Sequence, residues 1–312
     1  MKMDLHIHSI YSDGSYDLET IIKQAKDLDL FALTDHNTLK GNLELQKLRE
    51  RYSFCALAGI EMSVEYKGKE IHLLGYFPLD SDFNGPAFNS LNHSIKLYHH
   101  SKIIQIQDIL DRLHQDYSDL SYDDFIEYMT TQKENNNYNR VHIARYLIYR
   151  GKVNSINEAF KSYIGENCPY YVNKRQILLT DAFKLIKEAG GFPSIAHLIQ
   201  YHMSEEEIEE MLIELGQIDP SFGIELFHYD HSKEDIIHYM KLTYRIMEKT
   251  GYNIIYTAGS DCHGENKVNR IGIPYAFEYD ELYDSFYQKV SEDFIYYATE
   301  NHLIREEKNN GL

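Results

Sequence analysis

The sequence predicts an α/β protein whose strands close into a barrel, interrupted by an all-helical insertion. Three observations predict it. First, apolar runs of strand length alternate with helix-period segments, the rhythm of a parallel sheet flanked by helices. Second, from about residue 84 to 179 the strand signals vanish and only helical periodicity remains. Third, nearly every apolar run ends on a side chain able to bind a metal. The runs are Asp4-Leu5-His6-Ile7-His8, Thr34-Asp35-His36-Asn37, Gly59-Ile60-Glu61, Ala196-His197-Leu198 and Gly259-Ser260-Asp261-Cys262-His263. An open sheet concentrates ligands at one switch point, whereas a barrel brings all its strand ends around one mouth.

Taken in chain order, Asp4 to His8 reads as a strand, followed by the turn Ser12-Asp13-Gly14 and a helix from about Asp17 to Asp29. Asp17 is its N-cap, and Ile21, Ile22, Ala25 and Leu28 form its apolar stripe. Leu30 to Thr34 is the next strand, and Thr38 to Glu50 the next helix. Phe54 to Val64 and Lys69 to Phe77 pair as a hairpin turning at Lys67-Gly68. The insertion holds helices at about Phe88 to Asp116, Tyr122 to Thr130, Arg140 to Arg150 and Ile156 to Tyr163, with Gln132 to Asn139 a polar loop. The βα rhythm returns with a helix at Asp181 to Ala189 and strands at Phe192 to Ala196, Phe222 to Phe227 and Asn253 to Ala258. Helices at Ser204 to Leu215 and Ser232 to Lys249 separate them, and Arg305 to Leu312 reads as a frayed end. Residues 1–83 and 180–312 thus make the barrel, and 84–179 the insertion covering its active site.

At 312 residues and 43% hydrophobic composition, the chain has enough apolar side chain for a large core. A formal net charge of -18 argues against duplex nucleic acid bound through a broad basic surface. A small phosphorylated substrate is compatible with it, because bound metal ions invert the local field of an acidic site. Cys55, Cys168 and Cys262 are odd in number and lack C-x-x-C spacing, which argues against a disulfide framework or zinc ribbon. No signal peptide precedes the first strand, and no run approaches the roughly 18 apolar residues of a membrane span. A cytoplasmic protein is expected. Nothing in the sequence sets an oligomeric state.

In a strand, residues two apart face the same way, so His6 and His8 project together. Alone, a His-x-His is more often a packed or surface pair, and Asp13 on a Ser-Asp-Gly turn is more often a turn former. His36 emerges past a buried strand, with Asp35 expected to orient an imidazole. Glu61, at the end of Ala56 to Ile60, is expensive to bury without a cation, whereas Glu65 is expected to be solvated. Asp261 and His263 end the run from Ile254, and Glu225 ends a strand at the mouth with no role legible. Together, these motifs point to a multi-metal hydrolytic site.

The set His6-x-His8, Asp13, Asp35-His36, Glu61, His72, His197 and Asp261-x-His263 resembles the PHP (polymerase and histidinol phosphatase) family. The resemblance implies a distorted seven-stranded (β/α)7 TIM-like barrel hydrolysing phosphate esters with two or three divalent metal ions (Mn, Fe or Zn). His6, His8, Glu61 and Asp261 would hold the first metal. Glu61 would bridge to a second completed by His72 and His197, while Asp13, His36 and His263 would hold a third. Hydroxide between the Glu61-linked ions would attack phosphorus, giving Glu61 and His197 catalytic parts.

The segments Asn139-Arg140-Val141-His142, Glu158-Ala159-Phe160 and Ala189-Gly190-Gly191 resemble a bacterial branch acting on 3',5'-bisphosphonucleotides or short RNA ends. Arg140 would there contact a phosphate away from the reacting one. Leu198 and Val141 stand where the family and branch favour proline, and His99, His100 and Lys102 where the branch favours an arginine pair. Histidinol phosphate is the alternative substrate. A non-catalytic, metal-stabilised binding module is the alternative of another class, but that reading requires an eroded ligand position and every position here carries a competent one.

Overall fold

The structure, a computed structural model, describes residues 1–132, 138–278 and 280–304. The expectations for the middle of the 132–139 loop and for Arg305 to Leu312 lie outside the described residues. The chain divides into two compact units, Met1–Asn92 with Ile177–Leu312, and His93–Gln176.

The first unit is an α/β fold built on a curled sheet. Its elements begin with β1 (Met3–Ile7), α1 (Leu18–Gln24), β2 (Leu30–Leu33), α2 (Lys40–Leu48), β3 (Ala56–Tyr66) and β4 (Lys69–Pro78). Asp17 caps α1 by accepting the Thr20 N–H at 2.8 Å. The helix is shorter than its stripe predicts, tightening into a 3-10 turn at Ala25–Asp27. The hairpin turns where expected: Lys67 (φ 49°) and Gly68 (φ 81°) both take the left-handed conformation that matches strand twist.

The second unit carries α3 (Asn89–Asp116, which begins in the first), α4 (Tyr122–Gln132), α5 (Arg140–Tyr149) and α6 (Ile156–Ala159). The expected helix at Ile156 to Tyr163 is instead one α turn passing into a π-helical turn, Phe160–Ile164. Ile109, Leu110, Leu113, Phe125, Tyr146 and Leu147 are at the centre of its apolar core.

The chain then returns through β5 (Ile177–Leu178), α7 (Leu179–Glu188), β6 (Phe192–Ile195), α8 (Glu205–Ile218), β7 (Ser221–His228), α9 (Lys233–Thr250), β8 (Asn253–Gly259) and α10 (Glu281–Glu300). The sequence reading named neither β5 nor α10. The strand order is β1-β2-β3-β4-β6-β7-β8, with β5 pairing β3. All these pairs are parallel except β3–β4 and β4–β6. β1 and β8, the ends of that order, also meet: Ile7 bridges Cys262, whose carbonyl accepts the His8 N–H at 2.9 Å.

Because β4 runs against its neighbours, its first residues lie at the end where the parallel strands finish. That places His72 beside Glu61 and His197. α7 buries Leu179, Ala182, Phe183 and Ile186 over β3, β4 and β6, a one-face stripe at helical spacing. Every residue of β1, β2 and β6 is buried, as expected of strands covered on both faces. Among the described residues, no helix is long and apolar enough to cross a membrane.

Candidate metal centre

All nine sequence-predicted metal ligands lie in the first unit, and the fold gathers them at one end of the sheet. Four overlapping groups form, each with ligand atoms within 4.8 Å of one another: His6, His8, Glu61 and Asp261; His36, Glu61 and His72; His8, Asp13, His36 and His263; and His6, Glu225 and His228. Glu61 belongs to the first two, and its two oxygens face different sets of imidazoles. Its Oε2 lies 3.2 Å from His6 Nε2, 3.1 Å from His8 Nε2 and 3.0 Å from His36 Nδ1. Its Oε1 lies 2.7 Å from His72 Nδ1 and 3.0 Å from His197 Nε2. Glu61 lies inside its strand, as the expected span of Phe54 to Val64 implies. β3 runs on to Tyr66, and Glu65, near its end, is half-buried and accepts the Gly68 N–H at 3.1 Å.

Asp261 presents Oδ1 to the first group, 3.2 Å from His8 Nε2 and 3.5 Å from His6 Nε2. Asp13 faces the third, with Oδ1 3.3 Å from His263 Nε2 and Oδ2 3.8 Å from His36 Nε2. Two of the predicted ligands sit on strained backbone, His197 at φ 22° and Asp261 at φ 52°; non-glycine residues there cost about 1–3 kcal/mol each and cluster at functional sites. Gly259 is required for another reason. A Cβ there would stand 2.2 Å from the His6 Cβ and 2.5 Å from Glu225 Oε1.

The electrostatics follow from burial. Desolvation pushes the Glu61 carboxyl up, but His36, His72 and His6 outweigh it and hold it well below the usual range. Burial lowers His8, yet the Asp261 and Glu61 carboxylates beside its Nε2, 3.2 and 3.1 Å away, overcome this and raise it to about 10. For His36 burial wins, aided by the neighbouring His8 and His72, and the ring falls to about 3.

The donor set fits metal ions. His6 Nε2, His8 Nε2, His36 Nδ1, Glu61 Oε2 and His197 Nδ1 are buried atoms without a hydrogen-bond partner, a state that is costly unless something else binds them. In their neutral forms the free ring nitrogens also carry lone pairs. His6 Nδ1 donates to Glu225 Oε1 at 3.0 Å, so in the neutral ring its Nε2 turns a lone pair to the cluster; His263 Nδ1 donates to the Asp261 carbonyl at 2.9 Å, with its Nε2 3.4 Å from Lys267 Nζ and 3.3 Å from Asp13 Oδ1.

Asp35 departs from its expected role. It touches no imidazole; Oδ1 accepts from Ser9 N–H (2.8 Å) and Ser12 Oγ (2.6 Å), and Oδ2 from Ser9 Oγ (2.7 Å). It therefore ties down the turn that carries Asp13. The imidazole-orienting carboxylate is Glu225, which also accepts the His197 N–H through Oε2 at 2.9 Å. A carboxylate ending an apolar strand was the available signal for it. His228, fully buried beside Asp261, was missed because it ends no recognised motif. Arg140 lies in the helical unit, at the first turn of α5. Its guanidinium stands over the rings of Phe160 (5.6 Å) and Tyr171 (5.1 Å).

An α/β sheet with overlapping histidine–carboxylate groups at one end defines a metal-dependent hydrolase. The chain belongs to the PHP domain family, whose model matches residues 4–226. A 3',5'-nucleoside bisphosphate phosphatase of Chromobacterium violaceum is 27% identical over 86% of this chain and 90% of its own. A 5'-3' exoribonuclease of Haemophilus influenzae is 28% identical over 68% of this chain and 74% of its own. A phosphoribosyl 1,2-cyclic phosphate 1,2-diphosphodiesterase of Eggerthella lenta is 28% identical over 87% and 98%. The fold matches a solved structure from Bifidobacterium adolescentis, with a TM-score of 0.64 at 22% identity over 92% of this chain and 96% of that one. The protein is accordingly a metal-dependent phosphoesterase.

Proposed function

We propose that it hydrolyses a phosphate ester of a 3',5'-bisphosphonucleotide or of a short RNA end. The observation that carries this reading is the complete donor set with Glu61 shared between two groups, in a chain alignable over 90% of a bisphosphate phosphatase. His6, His8, Glu61 and Asp261 would hold the first metal. Glu61, His72 and His197 would hold the second, and Asp13, His36 and His263 the third, with mixed nitrogen and oxygen ligands suited to Mn, Fe or Zn. Divalent ions held there would supply an acidified water and neutralise phosphoryl charge.

The chain's own residues do the rest. Glu225 fixes the His6 tautomer and the His197 backbone, and Asp35 holds the Asp13 turn. The strand order, with Ile7 bridging Cys262, supports a closed seven-stranded barrel, and we take residues 84–179 as its insertion. Arg140, whose planar guanidinium suits bidentate phosphate recognition, would contact the phosphate that is not cleaved.

A substrate panel under Mn2+ tests this. It contains 3',5'-bisphosphoadenosine, 5'-phosphorylated short RNA, a ribose 1,2-cyclic phosphate and histidinol phosphate, with phosphate release or ring opening as readout. The expected result is a preference for the first two, abolished by chelator and by Asp261→Ala. A preference for histidinol phosphate or the cyclic ester overturns the nucleotide reading. Bound metal with no hydrolysis of any ester favours a binding module.

A further inference from the structure

His228 ends β7 fully buried, and its Nε2 is a buried atom without a hydrogen-bond partner. Its ring stands 5.1 Å from that of His197 and 6.2 Å from that of His6, between ligands of the first and second metal positions. Taken by type and position alone, it would be one more metal ligand. Its tautomer says otherwise. Nδ1 accepts the backbone N–H of Asp230 at 3.1 Å, which leaves the ring proton on Nε2. His6 has the opposite arrangement, donating through Nδ1 to Glu225 and turning an unpartnered Nε2 inward, and His263 also donates through Nδ1. His228 therefore offers the cluster a proton where its neighbours offer lone pairs.

That proton points towards Asp261. Nε2 lies 3.8 Å from Oδ2, the oxygen facing away from His6 and His8. The separation exceeds a hydrogen bond by less than 1 Å, roughly what a small rotation of the carboxylate closes. Lys267 Nζ, on a half-exposed side chain, is 3.5 Å from the same oxygen. We infer that His228 is a positioning residue for Asp261: its Nε2–H engages Oδ2, so the carboxylate presents Oδ1 alone to the first metal. A one-oxygen ligand leaves a coordination position open there, which a phosphoesterase needs for substrate or water. The Asp230 N–H fixes the ring, the ring fixes the carboxylate, and the carboxylate sets the site. The inference rests on the metal assignment above.

Two measurements test it. In the Zn2+-loaded wild-type enzyme, long-range 1H–15N spectra should show His228 with a protonated Nε2 and bare Nδ1, and His6 with a protonated Nδ1. A protonated Nδ1 on His228, or a zinc-bound Nε2, overturns the inference. Next, Mn2+ affinity and stoichiometry are measured for His228→Phe and His228→Gln by chelator competition, with kcat and KM determined alongside. Phe, which removes the donor, should weaken the tightest Mn2+ by about 10- to 100-fold and lower kcat with KM unchanged. Gln, which can present an N–H at similar reach, should recover most of both. Unchanged metal affinity with a raised KM would make His228 a substrate contact instead. Equal metal loss in both variants would make it a ligand. Either result overturns the positioning role, and the wild-type spectrum decides even if Phe does not fold. The failure of the metal assignment itself would be seen separately, as wild-type protein that binds no Mn2+.

Discussion

The two units of this chain bury opposite kinds of matter. The helical unit encloses Leu110, Phe125, Tyr146 and Leu147, side chains whose removal from water stabilises the fold directly. At one end of the sheet the other unit encloses His6, His8, Glu61, His197, Glu225 and Asp261. Desolvating so many ionisable groups opposes folding unless they pair with each other or with ions. Several of their atoms have no protein partner, so pairing within the protein is incomplete. One unit is thus explained by its own packing, whereas the other needs something added, and that need marks where the chemistry is.

The comparison can be broken most forcefully at Glu61. Glu61→Gln keeps the shape but removes the charge that five imidazole nitrogens share, and activity should fall on the order of a thousandfold or more. Phosphate release beside metal analysis checks this; near-normal turnover with full metal content would break the link between buried charge and function. The counterpart in the helical unit is Phe125→Ala, a large-to-small change in a tight apolar core that should cost about 3–5 kcal/mol. Denaturant unfolding reads the loss. Metal stoichiometry at low denaturant should stay intact, since no ligand lies there, and its loss would show that the units are not energetically separate.

A smaller effect sharpens the electrostatic side. His8 is raised to about 10 in the metal-free protein, so a metal must displace its proton. Affinity should therefore rise about tenfold per pH unit from pH 6 to 9 for the one proton displaced, and flatten above that. The metal-free stability His8 gains from the carboxylates runs the other way: full below its ordinary value of 6.5, and lost as pH rises through about 10. Chelator competition and thermal melts across this window check both signs, and a flat affinity profile would sink the argument. The smallest expected effect is at Asn139, which caps α5 by accepting the Val141 N–H at 2.9 Å. Asn139→Ala should cost about 1 kcal/mol by denaturant midpoint, with no change in metal content.

The ligand types were legible because each follows an apolar strand, and a strand buried on both faces can expose a polar group only at its ends. That logic found His6, His8, His36 and His197 without coordinates. It found Glu61 as well, inside a strand that runs on two residues past the expected Val64, to Tyr66. It could not separate Asp35 from Glu225. Both are carboxylates at strand ends, and only the fold brings Glu225 to His6 while turning Asp35 onto Ser9 and Ser12.

What the sequence by itself determined is the alternation of strands and helices, the hairpin at Lys67-Gly68, and the residue types able to bind metal, because periodicity and turn chemistry are local. Only the tertiary structure decided which oxygen of Glu61 meets which imidazole, which nitrogen of His228 keeps its proton, and that β4 delivers His72 from its first turn inward. Those depend on atoms far apart in the chain meeting within about 3 Å, and no local pattern encodes such distances.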